Sequence, residues 1–429
     1  YLRNSGQSYA ARQLLATRLP LRVKPAMPET WFEAMLINAE AAANDRQWTV
    51  AYDIASKIED AYATPTRIAD QNSRVRDKYS DLAWVAGTAA LNGMRQPAKA
   101  VHMFDLYAQS YDSPNITSKG YYWAGRAAAE AGQTEQAKAY FEKAAEFPDY
   151  FYGQLSLERL GRPLPNFDRK PAIEITDADR RAFDQEPLVM ATKASVRTGP
   201  WREQIRFHRA LAYNAKTAKD YMLISDLATR IGARDLGVIK GISSLGAGVG
   251  AIDETSFPTM QVPFGHESSW TIIHAITRQE SQFAEGAISH AGARGLMQLM
   301  PGTAREQSGK ANLSYNLSSL TDDPQYNIRL GSGYIQRMLA YYGGSYPLAV
   351  AAYNAGPGNV NKWLRANGDP RMGGIDWVQW IEEIPISETR NYVKRVLENA
   401  VVYDTKNPRG PTIRSDTPLS RYIGKNDRG

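Results

Sequence analysis

A 39-residue echo constrains the first part of this chain more than any other feature. Gly93 stands five residues before Ala98-Lys99-Ala100, and Gly132 stands five before Ala137-Lys138-Ala139. Trp84-x-x-Gly87 precedes the first block and Trp123-Ala124-Gly125 the second. Small residues let paired helices approach closely, and a period of roughly 34–47 residues is that of stacked helical hairpins of tetratricopeptide style. Residues 1–170 otherwise alternate Ala-rich helical runs with short polar breaks, so they read as an α-superhelix of such hairpins.

A break follows at Arg162-Pro163-Leu164-Pro165-Asn166-Phe167, with Pro171 soon after. Residues 171–254 return to helices, including 220–231 and 235–242, and read as a linking helical region. The cluster Gly246-Ala247-Gly248-Val249-Gly250-Ala251, with Pro258 and Pro263 beyond it, separates that region from residues 255–429. The cluster formally fits a dinucleotide fingerprint, but no strand–helix alternation surrounds it, so a turn or hinge is the simpler account. Asp323-Pro324 reads as an N-cap with Pro at the first helical position, opening a helix through Ile328 to Leu339. The fold class is mainly all-α, with at most a small β element.

Composition excludes several functions. At 429 residues and 43% hydrophobic content the chain can bury two or three cores. It has no uninterrupted apolar run of about 18 residues, so no membrane span is expected. Tyr1 opens a polar stretch without a Met-initiated signal sequence, which reads as a mature or trimmed product. Cysteine is absent, which excludes disulfides and thiolate chemistry. The five His are scattered without metal-ligand spacing, so neither metal nor cofactor is expected. Of the net charge of +6, residues 250–429 contribute +1 (18 Lys+Arg against 17 Asp+Glu), leaving +5 for the first 249. That balance suits a solvated surface, and no motif points to nucleic acid.

The segment Trp270 to Phe283 reads as helix, with Ile272, Ile273, Ile276 and Phe283 on one arc. Glu280 falls inside that arc, between Ile273 and Ile276. A carboxylate there is costly unless paired or protonated. Desolvation would lift its pKa above the roughly 4.3 of a free Glu, as a general acid near neutral pH requires. The plainer alternative is a helix-end Glu that reaches solvent or pairs with an Arg.

Four motifs follow in order. They are Glu280-Ser281; Gly292-Ala293-Arg294-Gly295-Leu296-Met297-Gln298-Leu299-Met300-Pro301; Ala352-Tyr353-Asn354-Ala355-Gly356-Pro357-Gly358; and Ile384-Pro385-x-x-Glu388-Thr389-Arg390-x-Tyr392-Val393. Together they resemble the soluble lytic transglycosylases, bacterial enzymes with a lysozyme-like catalytic domain related to goose-type lysozymes. The resemblance covers about residues 255–405. Further upstream only Tyr150-Phe151-Tyr152-Gly153-Gln154-Leu155 and Leu160-Gly161 are similar to a segment such enzymes carry.

The resemblance implies a C-terminal lysozyme-like α domain and a periplasmic location. It implies cleavage of the β-1,4 bond between N-acetylmuramic acid and N-acetylglucosamine in peptidoglycan. Glu280 would be general acid and then base, leaving 1,6-anhydromuramic acid ends. Ser289, Gln298, Met300, Tyr353 and Glu388 match the family's substrate-binding positions. Four of them also have an ordinary role: Ser289 as a loop cap, Met300 as core, Tyr353 as a half-buried aromatic, Glu388 as a first-turn carboxylate behind a capping Ser387. Asn354 reads as shaping a helix end, Glu285 as loop, Glu382-Glu383 as a polar stretch. Glycan strands with their stem peptides are the implied partners, with other cell-wall enzymes as further ones. A goose-type hydrolase and a non-catalytic scaffold binding glycan or partner enzymes remain as alternatives.

Overall fold

The computed structural model describes residues 6–63, 65–167, 173–250, 252–426 and 429; Tyr1, Pro171 and Ala251 lie outside them. Among the described residues the chain is all-α, with 22 α-helices and no strand. The β content is two isolated antiparallel bridges, Ile288 with Arg294 and Arg294 with Leu299. The chain divides into two compact units, residues 1–164 with Gly429 and residues 165–428.

In the first unit successive helices, Pro28–Asn44 through Phe151–Arg159, pack each on the next. The echo is a packing device. Gly87 and Gly125 each receive an aromatic ring from the following helix: a Cβ would lie 2.5 Å from Phe104 at Gly87 and 2.8 Å from Phe141 at Gly125. Trp84 and Trp123 meet edge to face at 5.8 Å. The echoed Gly93 and Gly132 differ in use. Gly93 closes a π-helical turn against the Trp48 ring, whereas Gly132 takes a left-handed conformation (φ 77°) past the end of helix Pro114–Glu130.

The second unit begins with helices Asp177–Asp184, Pro187–Thr198, Trp201–Asn214, Ala218–Ile231 and Arg234–Gly246. Gly248 and Gly250 then turn the chain in left-handed conformations, and no strand flanks them among the described residues. Further on, helix Trp270–Glu280 packs on the long helix Ser387–Lys406. Helix Tyr346–Ala355 packs on that same long helix and on Pro324–Tyr341. The shared core includes Ile273, Ile276, Leu348, Val350, Val393, Val396 and Leu397, all buried. Asp323 caps helix Pro324–Tyr341 by accepting from the Tyr326 N–H at 3.0 Å.

Three expectations need correction. The helix opened by Trp270 stops at Glu280, short of Phe283. The Ser281 hydroxyl donates to the carbonyls of Thr277 (3.2 Å) and Leu296 (2.8 Å), and Gln282 and Phe283 turn left-handed at φ 55° and 69°. Ser387 is the first residue of its helix, after an Ile386 N-cap, and makes no capping bond. Glu382 does not lie in an open polar stretch. It ends helix Trp377–Glu382, buried, with Lys394 Nζ donating to Oε1 at 2.7 Å.

Candidate active site

Helix Trp270–Glu280 is buried on every face from Trp270 to Arg278, so its polar side chains must be partnered. Thr271 donates to Asp404 at 2.7 Å. Arg278 donates to Asn399 at 2.8 Å and to the Ser256 carbonyl at 3.0 Å. His274 accepts from the Met260 N–H through Nε2, which places its proton on Nδ1, donated to the Trp270 carbonyl. Burial pushes this imidazole down to about 4, so it stays neutral and structural. Among the described residues no cluster of His, Asp and Glu could hold a metal.

The helix delivers Glu280 as its last residue, half-buried, with an edge open and protein packed around the carboxyl. Burial pushes its pKa up to about 7, opposed by the Tyr392 hydrogen bond and assisted by the charge of Glu388. The negative end of the helix dipole also disfavours a carboxylate there. Tyr392 donates its hydroxyl to Glu280 Oε1 at 2.7 Å. Its phenol, enclosed and facing that carboxyl, is held well above its usual range, so it serves as a neutral donor. The carboxyl is therefore poised to hold or release a proton near neutrality, and its position is set from the opposite helix.

The loop between Ser281 and Pro301 is tied to the end of this helix by the Ser281 hydroxyl, which donates to the Leu296 carbonyl. Gln298 adopts φ 47°, and its amide donates to the carbonyls of Ala287 (3.1 Å) and Gly295 (2.9 Å). Gly295 is at φ 75°, and a Cβ there would sit 2.0 Å from the Leu320 carbonyl oxygen. Asn327 binds three points of the surrounding chain: Oδ1 accepts from the Met297 N–H, and Nδ2 donates to the carbonyls of Arg294 and Leu320. Tyr353 donates its hydroxyl to the Met297 carbonyl at 2.8 Å. The Met297 peptide is thus held on both sides, by residues of two different helices.

The candidates singled out in the sequence fall in distinct places. Tyr353 is buried, and its phenol is raised by burial and then by the nearby Glu280 charge. Glu388 is exposed in the first turn of helix Ser387–Lys406 and acts on Glu280 through space. Ser289 accepts the Ala293 N–H at 3.0 Å, bracing its own turn. Met300 is not core: it is 44% exposed, at the N-cap of helix Pro301–Lys310. No hydrogen bond joins Ser289 or Met300 to Glu280 among the described residues. Asn354 accepts from the Thr389 hydroxyl at 2.6 Å, tying the Tyr353 helix to the Glu388 helix. Two contributors carried no assigned role in the sequence. Tyr392 stood inside the last motif, beside Val393; Asn327 had no signal beyond being polar on a helix.

The unit is all-α and places one half-buried carboxyl, Glu280, next to a braced, glycine-turned loop. Residues 265–372 match the Transglycosylase SLT domain family, and the chain carries such a domain. The soluble lytic murein transglycosylase of Escherichia coli K12 is 39% identical over 158 residues, which is 37% of this chain and 24% of that protein. The putative soluble lytic murein transglycosylase of Haemophilus influenzae is 37% identical over 155 residues, 36% of this chain and 25% of the relative. The match therefore spans about a quarter of the length of these relatives. Among solved structures, an inactive mutant of lytic transglycosylase Slt from Pseudomonas aeruginosa superposes with TM-score 0.58 at 22% identity, covering 96% of this chain and 81% of that one. The 70-kDa soluble lytic transglycosylase of E. coli gives 0.57 at 19%, covering 100% and 82%. These two likenesses speak to the fold.

Proposed function

We propose that this chain is a peptidoglycan lytic transglycosylase, with Glu280 as its catalytic acid and then base. The observation that carries the reading is the Glu280 carboxyl, pushed up to about 7 by burial and aligned by the Tyr392 hydroxyl. Glu280 protonates the glycosidic oxygen between N-acetylmuramic acid and N-acetylglucosamine as the C–O bond breaks. The N-acetyl oxygen of the muramyl residue stabilises the positive charge at the anomeric carbon, the part a second carboxylate plays in other glycosidases. Glu280, now a carboxylate, takes the proton from the 6-hydroxyl of the same ring. That oxygen closes on the anomeric carbon, so a 1,6-anhydro end forms without consuming water. Holding the hydroxyl within its own ring favours this closure over attack by water.

Ser289, Gln298, Met300, Tyr353 and Glu388 are assigned to binding the substrate. Met300 presents an exposed thioether to pack against a sugar face. The free carbonyl of the Gln298 amide accepts from hydroxyl or acetamido groups, its NH2 being engaged in the loop. Residues 171–254 serve as a linking helical region between a superhelix of residues 1–170 and a catalytic domain of residues 255–429. A periplasmic location follows from the substrate. No described helix is long and apolar enough to cross a membrane. Stem peptides and other cell-wall enzymes are the further partners in this reading.

The test is mass spectrometry of products from purified sacculi. Native protein is expected to release anhydro-ended fragments, one water lighter than reducing ends, and Glu280→Gln to lower turnover about 10²-fold or more. Reducing ends would make the enzyme a hydrolase of the goose-lysozyme kind. Near-full turnover by Glu280→Gln would remove the proposed acid.

A further inference from the structure

The first unit holds a cleft of about 880 Å³ that the reaction above does not use. The 3-10 turns Glu59–Ala61 and Ile68–Asp70 form one side, and helices Pro97–Gln109 and Pro114–Glu130 contribute to the other. Four tyrosines line it, Tyr62, Tyr79, Tyr111 and Tyr121, and each is held in place; Tyr111 donates its hydroxyl to Asp77 and carries the Arg76 guanidinium 4.8 Å from its ring. Phe32 backs Tyr62 at 6.2 Å and Tyr79 edge to face at 5.7 Å. Tyr121 stacks on Tyr140 at 6.0 Å, with the Lys143 ammonium 4.9 Å from its ring.

Tyr79 is only 3% exposed, and its hydroxyl makes no hydrogen bond among the described residues but keeps an edge open to solvent. The enclosed hydroxyl of Tyr62 lacks one as well. A fully buried hydroxyl without a partner, as at Tyr62, is uncommon because it forfeits its hydration on folding. Burial raises both phenols, so they remain neutral. The charged groups of the lining are already occupied: Arg67 lies between Asp70 and Asp112, and Glu59 meets His102 at 2.7 Å. The cleft therefore offers ring faces and two unused hydroxyls, with little unpaired charge. A ligand that complements it is uncharged, carries hydroxyl and amide groups, and presents flat C–H faces to aromatic rings.

We propose that this cleft is a second glycan site, holding a segment of N-acetylated amino-sugar strand apart from the Glu280 centre. The choice of a glycan rests on the lytic transglycosylase reading; the geometry of the cleft does not. Volume suits a short oligosaccharide, within the roughly 300–1,000 Å³ of ordinary ligand sites.

The test uses the full chain carrying Glu280→Gln, with the tetramer of N-acetylglucosamine as probe. Calorimetric titration and hydrogen exchange are run on it and on two further variants in that background, Tyr79→Phe and Tyr79→Phe/Tyr121→Ala. The expected result is tetramer-dependent protection over residues 65–79 and 106–121. Tyr79→Phe weakens binding there about fivefold, and adding Tyr121→Ala weakens it further. Since the Tyr79 hydroxyl supports no contact within the fold, Tyr79→Phe leaves the unfolding temperature unchanged. Protection confined to residues 165–428, or binding to the first unit that ignores both variants, overturns the proposal. Protection of the same segments by a stem peptide and not by the tetramer overturns it in favour of a peptide site. Cleavage of sacculi by the native chain is scored separately: an inactive protein whose cleft still binds tetramer refutes the enzymatic reading alone, and an active one with a silent cleft refutes only the second site.

Discussion

Replacing Glu280 by Gln is expected to stabilise the protein at pH 8 while leaving it nearly unaltered at pH 4.5. In the folded chain burial holds the carboxyl proton up to about pH 7, whereas the ordinary value is 4.5. Between those values the folded state binds more protons than the unfolded one, so raising the pH costs stability. Above pH 7 the whole cost is present; below 4.5 it vanishes. Gln is never charged and still accepts the Tyr392 hydroxyl, so the substitution relieves this cost alone. The gain works out at about 3 kcal/mol at pH 8, about 2 at pH 6 and under about 0.5 at pH 4.5. These are upper limits, because the open edge of the residue lets water screen part of the charge. Urea unfolding of both proteins at the three pH values measures the differences. A Gln variant no more stable than the native chain at pH 8, or an increment independent of pH, would refute the claim that burial keeps the proton on Glu280.

Two further outcomes follow from the same contacts. Tyr392→Phe removes a hydrogen bond that favours the ionised carboxylate, so the alkaline limb of the pH–rate profile moves up by about one pH unit while the rate falls. A limb that stays put or moves down would show that the 2.7 Å contact does not govern the acid. Lys394→Met removes the ammonium that donates to the buried Glu382 carboxylate and is expected to cost about 3–5 kcal/mol in urea unfolding, much of it restored by adding Glu382→Gln. No rescue by the second substitution would mean the loss comes from packing.

Much of the architecture could be read along the chain because local periodicity reports it. The helical runs, the Trp–Gly echo and the Asp323-Pro324 helix start depend on neighbours within a few turns. The misplaced Glu280 was legible for the same reason, since a carboxyl on an apolar arc is a local anomaly. Less legible was what its helix meets. Tyr392 lies 112 residues away and acts only because helix Ser387–Lys406 packs against helix Trp270–Glu280. For Met300 the sequence left a core role open beside the substrate-binding one, and the structure places the side chain in the open at the N-cap of helix Pro301–Lys310.

The order of residues by itself determined an α-helical chain with one carboxyl in an apolar setting and four motifs that resemble those of the soluble lytic transglycosylases. Tertiary structure decided where the helix releases that carboxyl, which phenol holds it, and how Asn327 and Tyr353 clamp the Met297 peptide between two helices. Periodicity records which face of a segment avoids water. It carries no record of which distant face it will meet, and a proton's affinity for its site depends on that meeting.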